Sequence, residues 1–569
     1  MYRKIIAFAA ALVLAAEAAA PVQTQAASRN EVDHLLKSLT AADSMLAADD
    51  FNADGVVSAV DLTLLKRELL FPSVTGPVTA QTVDAVAEHT RVIGRTLTKD
   101  GVLWLVQSGS AVECTVTAVE ASVTIAGDSA VSSSERYRPR YGVYVDGELI
   151  RDVVMGEKEQ TVQLFSGTQQ RTATVKVMHL SEANNGAVGV RQFAVKSAAA
   201  EPVKPTPKKA LSVEFIGDSI TCAYGVEAES QYVSFETGTE NFSKSYAYLT
   251  AQLLDADYSA VSYSGYGIVS GYTSGSEKNS GSLLSLAYEN VGHQAIYAVP
   301  WDFASHQHDV VVINLGTNDD SYARNDLETR GREFQEGYEA FLKTVRKCNP
   351  DAEILCTLGI MGCEELYPYI EAAVEKVGDP KITCYQSPTQ KQSDGYGADW
   401  HPSPVTHQLN AYIMADKICE VLGLPSAKIG LDFAADGKYG AEINTDAGAS
   451  GWPYFSEWDK SLNVTLSKAG DSPEAAIGYV RNLSLLKGSY ELSFNATPQK
   501  GIALPYAVRS MTDSDKVYCT GTMNADGAEE TVVKAFDMPE ADDACEIVFF
   551  LGEMSSAVTF RNVTLYKRG

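Results

Sequence analysis

The sequence has little positive charge for its size: 46 Lys and Arg stand against 73 Asp and Glu over 569 residues, a formal net charge of −27. A surface that acidic repels phosphate backbones and anionic lipid, which excludes nucleic acid and charged membranes as partners and leaves a neutral polysaccharide admissible. Cysteine is sparse as well. The nine cysteines form no Cys-x-x-Cys pair, so zinc-ribbon and dithiol redox chemistry are not indicated, and the odd count leaves at least one thiol unpaired. No apolar run reaches the ~20 residues that cross a bilayer, and no internal repeat is present. The first residues read instead as an export signal over 1–27: Arg3 and Lys4 supply the positive end, residues 5–16 the apolar stretch, and small residues through Ala27 the cleavage sites. Thiols in an exported chain suit an anaerobic habitat, and Cys356, inside Glu353-Ile354-Leu355-Cys356, reads as a buried strand residue.

A chain of this length should hold three or four compact units. Phe71-Pro72-Ser73 closes a helical segment, so a first unit at 28–72 is followed by a linker at 73–87. Residues 88–200 carry short alternating runs such as Tyr141-Gly142-Val143-Tyr144-Val145 and Ala173-Thr174-Val175-Lys176-Val177, which predict a β-sandwich. A second linker at 201–210 is rich in proline and lysine. Residues 211–425 alternate apolar strands with helical patterns, the signature of an α/β domain with a parallel sheet. Helices are expected at 332–347, ending before Asn349-Pro350, and at 406–422, with Leu409, Ile413 and Ile418 on one face. Residues 426–569 return to strand-like runs and predict a second β-sandwich.

Within the first unit, the stretch from Asp50 to Asp61 sets oxygen ligands at regular steps: Asp50, Asn52, Asp54, the carbonyl of Val56, Ser58 and Asp61, with Gly55 where the chain must turn sharply. Hard oxygen donors in that order suit calcium. The plainer alternative is an acidic turn ahead of the amphipathic helix at 62–70. The segment resembles half of a dockerin, which implies docking to a cohesin-bearing scaffold. The upstream residues 31–49 lack a second ligand set, and position 12 is Asp, the usual dockerin choice.

The chemistry gathers in the α/β unit. The strand Val213-Glu214-Phe215-Ile216 runs into Gly217-Asp218-Ser219, placing Ser219 at the carboxyl edge of the sheet, where ligands bind in such folds. A serine hydroxyl needs a base and oxyanion donors to act as a nucleophile. Val310-Val311-Val312-Ile313-Asn314-Leu315 delivers Gly316-Thr317-Asn318-Asp319 to the same edge. Ser262-Tyr263-Ser264-Gly265-Tyr266-Gly267 is a glycine turn where a backbone N–H can approach substrate. Asp399-Trp400-His401-Pro402 precedes the last helix and offers His401 as base. Each signal alone is common, and a lone histidine is more often structural than catalytic.

In this order, the blocks resemble the SGNH hydrolase superfamily, whose sheet is flavodoxin-like. The resemblance implies Ser219 as nucleophile, the N–H groups of Ser219 and Gly265 and the side chain of Asn318 as oxyanion hole, and His401 as base. The superfamily places its triad aspartate three residues before the histidine. Here that position is Ala398 and the aspartate is Asp399, so either Asp399 orients His401 or a backbone carbonyl does so in a Ser-His dyad. The β-unit leading into this domain over residues 88–424 is similar to carbohydrate esterase family 2. That likeness implies a jelly-roll first sandwich, a carbohydrate acetyl esterase acting on acetylxylan and acetylated glucomannan, no catalytic cofactor, and Trp400 and Tyr266 against the sugar. The 426–569 unit resembles jelly-roll carbohydrate-binding modules more loosely. Two other readings fit: a GDSL-type lipase or aryl esterase of broader acyl specificity, and a non-catalytic sugar-binding docking protein.

Overall fold

The computed structural model describes residues 77–424, 428–429, 439–456, 461–485, 487–513, 515–524 and 527–568. The export signal and the calcium loop expected from sequence lie outside these residues.

The N-terminal domain is a ten-stranded sheet built around the long strands Ala111–Gly127 and Glu159–His179. Ala111–Gly127 buries even positions first, Val112, Cys114, Val116 and Ala118, and then odd ones, Ala121, Val123 and Ile125. The switch falls where the register with Glu159–His179 slips between Ala118 and Glu120. The slip leaves Val119 against residues 167–170 and shifts this strand's alternation by one position, so both halves of the strand stay directed at one core.

Both segments read as linkers are partly strands. Thr79–Asp84 pairs antiparallel with Val188–Ser197, and Val203–Pro205 pairs antiparallel with Val116 to Cys114. Proline at 205 is tolerated because it ends a three-residue edge strand. Beyond it, Arg91 Nη1 donates to Pro207 O at 2.9 Å and Lys209 N–H donates to Asp257 Oδ2 at 3.0 Å. The connection between the two domains is therefore pinned along its length.

The second domain has five parallel strands in the spatial order Ala256–Ser262, Leu211–Gly217, Val310–Asn314, Glu353–Leu358, Ile382–Gln386. Helices cover both faces, which is why strands such as Val310–Asn314 are apolar without alternation. On one side Leu327–Cys348 buries Phe334, Tyr338, Phe341 and Leu342 over Val311 and Ile313. On the other, Tyr246–Leu253 and Pro404–Leu422 bury Tyr246, Ala251, Ala411 and Met414 over Phe215 and Val312. The order places strand one between strands two and three. The crevice at that reversal, between Leu211–Gly217 and Val310–Asn314, is where such sheets hold ligands.

The two expected helices form with wider bounds, Leu327–Cys348 and Pro404–Leu422. In the latter, Ser403 caps the Thr406 N–H and Pro404 occupies the first turn. Its most buried side is Thr406, His407, Asn410, Ala411, Met414 and Ile418, while Leu409 and Ile413 are only half-buried. The helix is covered twice, because the C-terminal region also packs on it: Gln408 Nε2 donates to Glu491 Oε1, and Tyr412 stacks on Tyr566 with ring centroids 3.8 Å apart. That region comprises a six-stranded and a five-stranded sheet, with Leu492 and Phe494 of the first and Ile547 and Phe549 of the second in one core. Cys356 lies fully buried in its strand, and the nine cysteines are all thiols.

The N-terminal and α/β domains share a core as well as a boundary. Ile93, Ala111, Met178 and Leu180 pack with Val213, Phe215 and Phe242. Arg95, fully buried, sets Nη2 2.9 Å from Glu214 Oε1 and donates through Nη1 to the carbonyls of Tyr288 and Asn290. Tyr288 Oη donates to the other Glu214 oxygen at 2.9 Å. Burial works against the Glu214 carboxylate, but Arg95, with smaller help from His308 and Tyr288, brings it below its ordinary range. Removing one partner of such a pair strands a charge at a cost of about 3–5 kcal/mol. Arg95→Ala should therefore lower the unfolding free energy of these two domains, measured by urea titration, by that amount, with an unchanged slope. A loss below about 1 kcal/mol would show the interface to be solvated.

Candidate active site

Ser219 follows the first strand of the sheet directly. Gly217 makes the turn possible: a Cβ there would lie 1.9 Å from Thr221 Oγ1. Asp218 caps the four-residue helix Ser219–Cys222 through Ile220 N–H at 3.0 Å, and burial raises its carboxyl to about 7. Asn318 lies in the first turn of the helix Thr317–Ala323 that follows the strand Val310–Asn314. Its amide nitrogen donates to Tyr266 O at 2.8 Å and lies 3.3 Å from Asp218 Oδ2.

His401 arrives on a loop 182 residues further along and sets Nε2 2.9 Å from Ser219 Oγ. The loop is locked by backbone contact. Ala398 N–H donates to Gly225 O at 3.0 Å, and a Cβ on Gly225, whose φ is +58°, would lie 2.3 Å from the Ala398 Cβ. His401 Nδ1 faces Ala398 O at 3.1 Å, and the Tyr224 ring stacks on the imidazole at 4.1 Å.

Asp399 does not meet Nδ1, against the first of the two arrangements the sequence left open. Its backbone is left-handed, φ +49°, which turns the carboxylate away from the imidazole. Oδ2 accepts instead from Tyr224 Oη at 2.9 Å and Phe235 N–H at 3.1 Å. Ala398, at the superfamily's aspartate position, is fully buried against Gly225.

The glycine turn comes to the same edge. Gly265 has φ +81°, and an added Cβ would meet nothing within 4 Å, so this peptide faces open space. Among the described residues neither the Gly265 nor the Ser219 N–H has a protein acceptor. Asp319 holds the following loop by accepting the N–H groups of Ile268, Val269 and Ser270 at 2.9, 2.7 and 3.0 Å; burial raises its carboxyl to about 6 despite those bonds. Tyr266 differs from expectation. Its ring is buried, stacked on Tyr263 with Oη on His293 Nδ1 at 2.5 Å, and its carbonyl orients Asn318. Trp400 is 49% exposed and sits edge-on to Tyr232, itself 79% exposed.

Sequence reasoning left open a backbone carbonyl on His401 without naming Ala398, and gave no role to Asp218, Asp319, Tyr224 or Tyr232. The first two were legible as acids flanking Ser219 and following Asn318, the positions from which a short side chain reaches backbone N–H groups. Tyr224 and Tyr232 carry no local signal.

A five-stranded sheet of this order, delivering a serine, an asparagine and a histidine to its carboxyl edge, is the frame of a carboxylic-ester hydrolase. The GDSL-like lipase/acylhydrolase family matches residues 215–409, and the carbohydrate esterase 2 N-terminal family matches residues 92–205. Cellulase/esterase CelE of Acetivibrio thermocellus is 36% identical over 326 residues, 56% of this chain, and the chain spans 37% of that protein's length. An acetylxylan esterase / glucomannan deacetylase of Cellvibrio japonicus is 25% identical over 350 residues, 60% of this chain and 91% of that protein. The structure of a family two carbohydrate esterase from Clostridium thermocellum, in complex with cellohexaose, is 32% identical with a TM-score of 0.51, covering 59% of this chain and 99% of that one. The chain belongs to carbohydrate esterase family 2.

Burial pushes the His401 imidazole down to about 4, against the opposing pull of the Ala398 carbonyl and the Asp399 charge. A base must be neutral to accept a proton, so kcat/KM should hold its plateau as pH falls through 6.5, the ordinary imidazole value, and decline only toward about 4. An acid limb centred near 6.5 would mean that water reaches the ring. Since Nδ1 rests on a carbonyl, Asp399→Asn should cost about tenfold or less in kcat, far short of the ~10⁴ lost when a triad carboxylate is removed. A loss of the larger size in steady-state assays would place Asp399 on the imidazole.

Proposed function

We propose that the chain is a secreted, serine-dependent carbohydrate O-deacetylase acting on hemicellulose such as acetylxylan and acetylated glucomannan. The observation that carries the chemistry is the 2.9 Å approach of His401 Nε2 to Ser219 Oγ. His401 takes the hydroxyl proton as Oγ attacks the acetyl carbonyl, and the negative charge that develops falls to the N–H groups of Ser219 and Gly265 and the Asn318 amide. His401 then protonates the departing sugar oxygen. Water, deprotonated by the same imidazole, attacks the acetyl-enzyme and releases acetate. The bond from Nδ1–H to Ala398 O selects the tautomer whose Nε2 is the acceptor.

Three features support a sugar ester over a lipid one. An exposed indole beside the base offers a flat apolar face of the kind pyranose rings stack on. Tyr232 stands nearly perpendicular to it and adds a second exposed ring. The Cellvibrio japonicus relative is an acetylxylan esterase / glucomannan deacetylase, and the Clostridium thermocellum structure holds cellohexaose. Secretion and calcium-dependent docking to a cohesin-bearing scaffold rest on residues 1–27 and on the loop from Asp50 to Asp61, and calcium has no part in the reaction. In the same reading, the two C-terminal sheets are a carbohydrate-binding module that raises the local concentration of enzyme on an insoluble polymer.

Acetate released from defined acetylated polymers, quantified by mass spectrometry, tests the substrate. Acetylxylan or acetylated glucomannan should be deacetylated far faster than a long-chain ester is cleaved, and Ser219→Ala should lower turnover by on the order of 10⁶. Equal cleavage of the long-chain ester would favour a lipase, and turnover surviving Ser219→Ala would leave a binding protein.

A further inference from the structure

Glu182 belongs to the N-terminal domain yet reaches the glycine turn of the catalytic one. It is 3% exposed. Its Oε2 accepts the Ser264 N–H at 2.8 Å and the Asn184 amide at 3.0 Å. Ser264 is the residue before Gly265, so this bond fixes the Tyr263–Ser264 peptide, which adjoins the peptide that carries the Gly265 N–H. From the other side, Gly265 O accepts Tyr272 N–H at 2.8 Å, and Tyr266 N–H closes the turn on Tyr263 O at 3.2 Å. Glu182 is itself held: its own N–H donates to Glu240 Oε2 at 2.9 Å, and Arg140 Nη1 donates to Glu240 O at 2.9 Å.

We propose that Glu182 is a positioning residue for the oxyanion site, a carboxylate lent by the N-terminal domain to aim the Gly265 N–H at the substrate carbonyl. The inference rests on the proposed ester hydrolysis with Gly265 as donor. An apolar side chain would fill a buried domain boundary without the desolvation that raises the Glu182 carboxyl above its usual range. What an apolar side chain cannot do is accept the Ser264 N–H.

Donors of this kind matter when charge forms on the oxygen, and losing one typically lowers turnover by ~10² to 10³. A misdirected donor should cost part of that. In the full chain, Glu182→Ala should lower kcat on a soluble acetyl ester by about 10- to 100-fold with KM within about twofold. The inhibition constant of an alkyl boronic acid, whose adduct with Ser219 carries the anionic oxygen, should rise by the same factor, and that constant does not depend on how much enzyme is folded. Glu182→Gln keeps an oxygen acceptor and should recover most of the loss in both measurements. If Glu182→Ala does not fold, Glu182→Leu, which keeps the volume, carries the same comparison. A boronate constant unmoved by removal of the acceptor, or Glu182→Gln impaired as severely as Glu182→Ala, overturns the assignment. Asn318→Ala and Ser219→Ala are run beside them: if both leave turnover intact, the ester-hydrolase reading itself has failed, whereas their loss of activity with Glu182→Ala unaffected rejects only the role of Glu182.

Discussion

The site depends on a backbone contact, Gly225 against Ala398. Ser219 and His401 are 182 residues apart, and neither strand order nor helix packing alone would set their side chains to within a hydrogen bond. The turn after the nucleophile helix ends at Gly225, in a left-handed conformation open to glycine at no steric cost. The histidine loop lies directly on it, with Ala398 N–H on Gly225 O. Backbone against backbone leaves no rotamer to choose, so the separation of the two loops is fixed by peptide geometry. The same contact explains the missing aspartate. At 398 the chain is too close to Gly225 for a larger side chain, and the orienting acceptor becomes the carbonyl of that residue.

A carbonyl is a weaker partner for an imidazolium than a carboxylate would be. Desolvation then dominates, and His401 is held neutral with its basicity reduced. The acids around it serve another purpose. Asp218 takes the N–H of Ile220, Asp319 those of Ile268, Val269 and Ser270, Asp399 that of Phe235, and Glu182 that of Ser264. Each ties down a loop at the carboxyl edge of the sheet. A carboxyl oxygen accepts these N–H groups in either protonation state, so the acids rigidify the loops of this edge. Fixed dipoles need no reorganisation when charge appears.

Much of this was legible in the sequence. The parallel strands announce themselves as apolar runs, and the order of Ser219, Gly265, Asn318 and His401 places all four at one edge once the strands are recognised. What failed did so for non-local reasons. Thr79–Asp84 and Val203–Pro205 look like spacers because their partners lie about 120 and 90 residues away in the chain, and a proline-rich composition describes the segment without its edge. Tyr266 sits in the right turn, but whether its ring or its carbonyl faces the site is decided by stacking on Tyr263. Spacing located Asp399 near the histidine and could not foresee a left-handed φ that turns it toward Tyr224. The seam of the last helix was misjudged because amphipathicity reports one buried face, and this helix has a second, under Tyr566.

Composition suggests beads on a string, whereas the contacts join the first two domains into one unit. Arg95 neutralises a glutamate inside the parallel sheet, five residues before Ser219, and Arg140 from the same domain grips Glu227 and the carbonyl of Glu240, the residue whose carboxyl accepts the Glu182 N–H. Were the N-terminal domain only a targeting module, its boundary would be wet and its ionic groups exposed, as is usual where domains move independently. Here the groups are buried and spent on the backbone of the other domain. Holding backbone N–H groups to within a fraction of an ångström demands a rigid frame. A five-stranded sheet with long loops at one edge does not supply that rigidity alone; the N-terminal domain adds to it through Glu182, which accepts the Ser264 N–H, and Gln107, which donates to Tyr263 Oη.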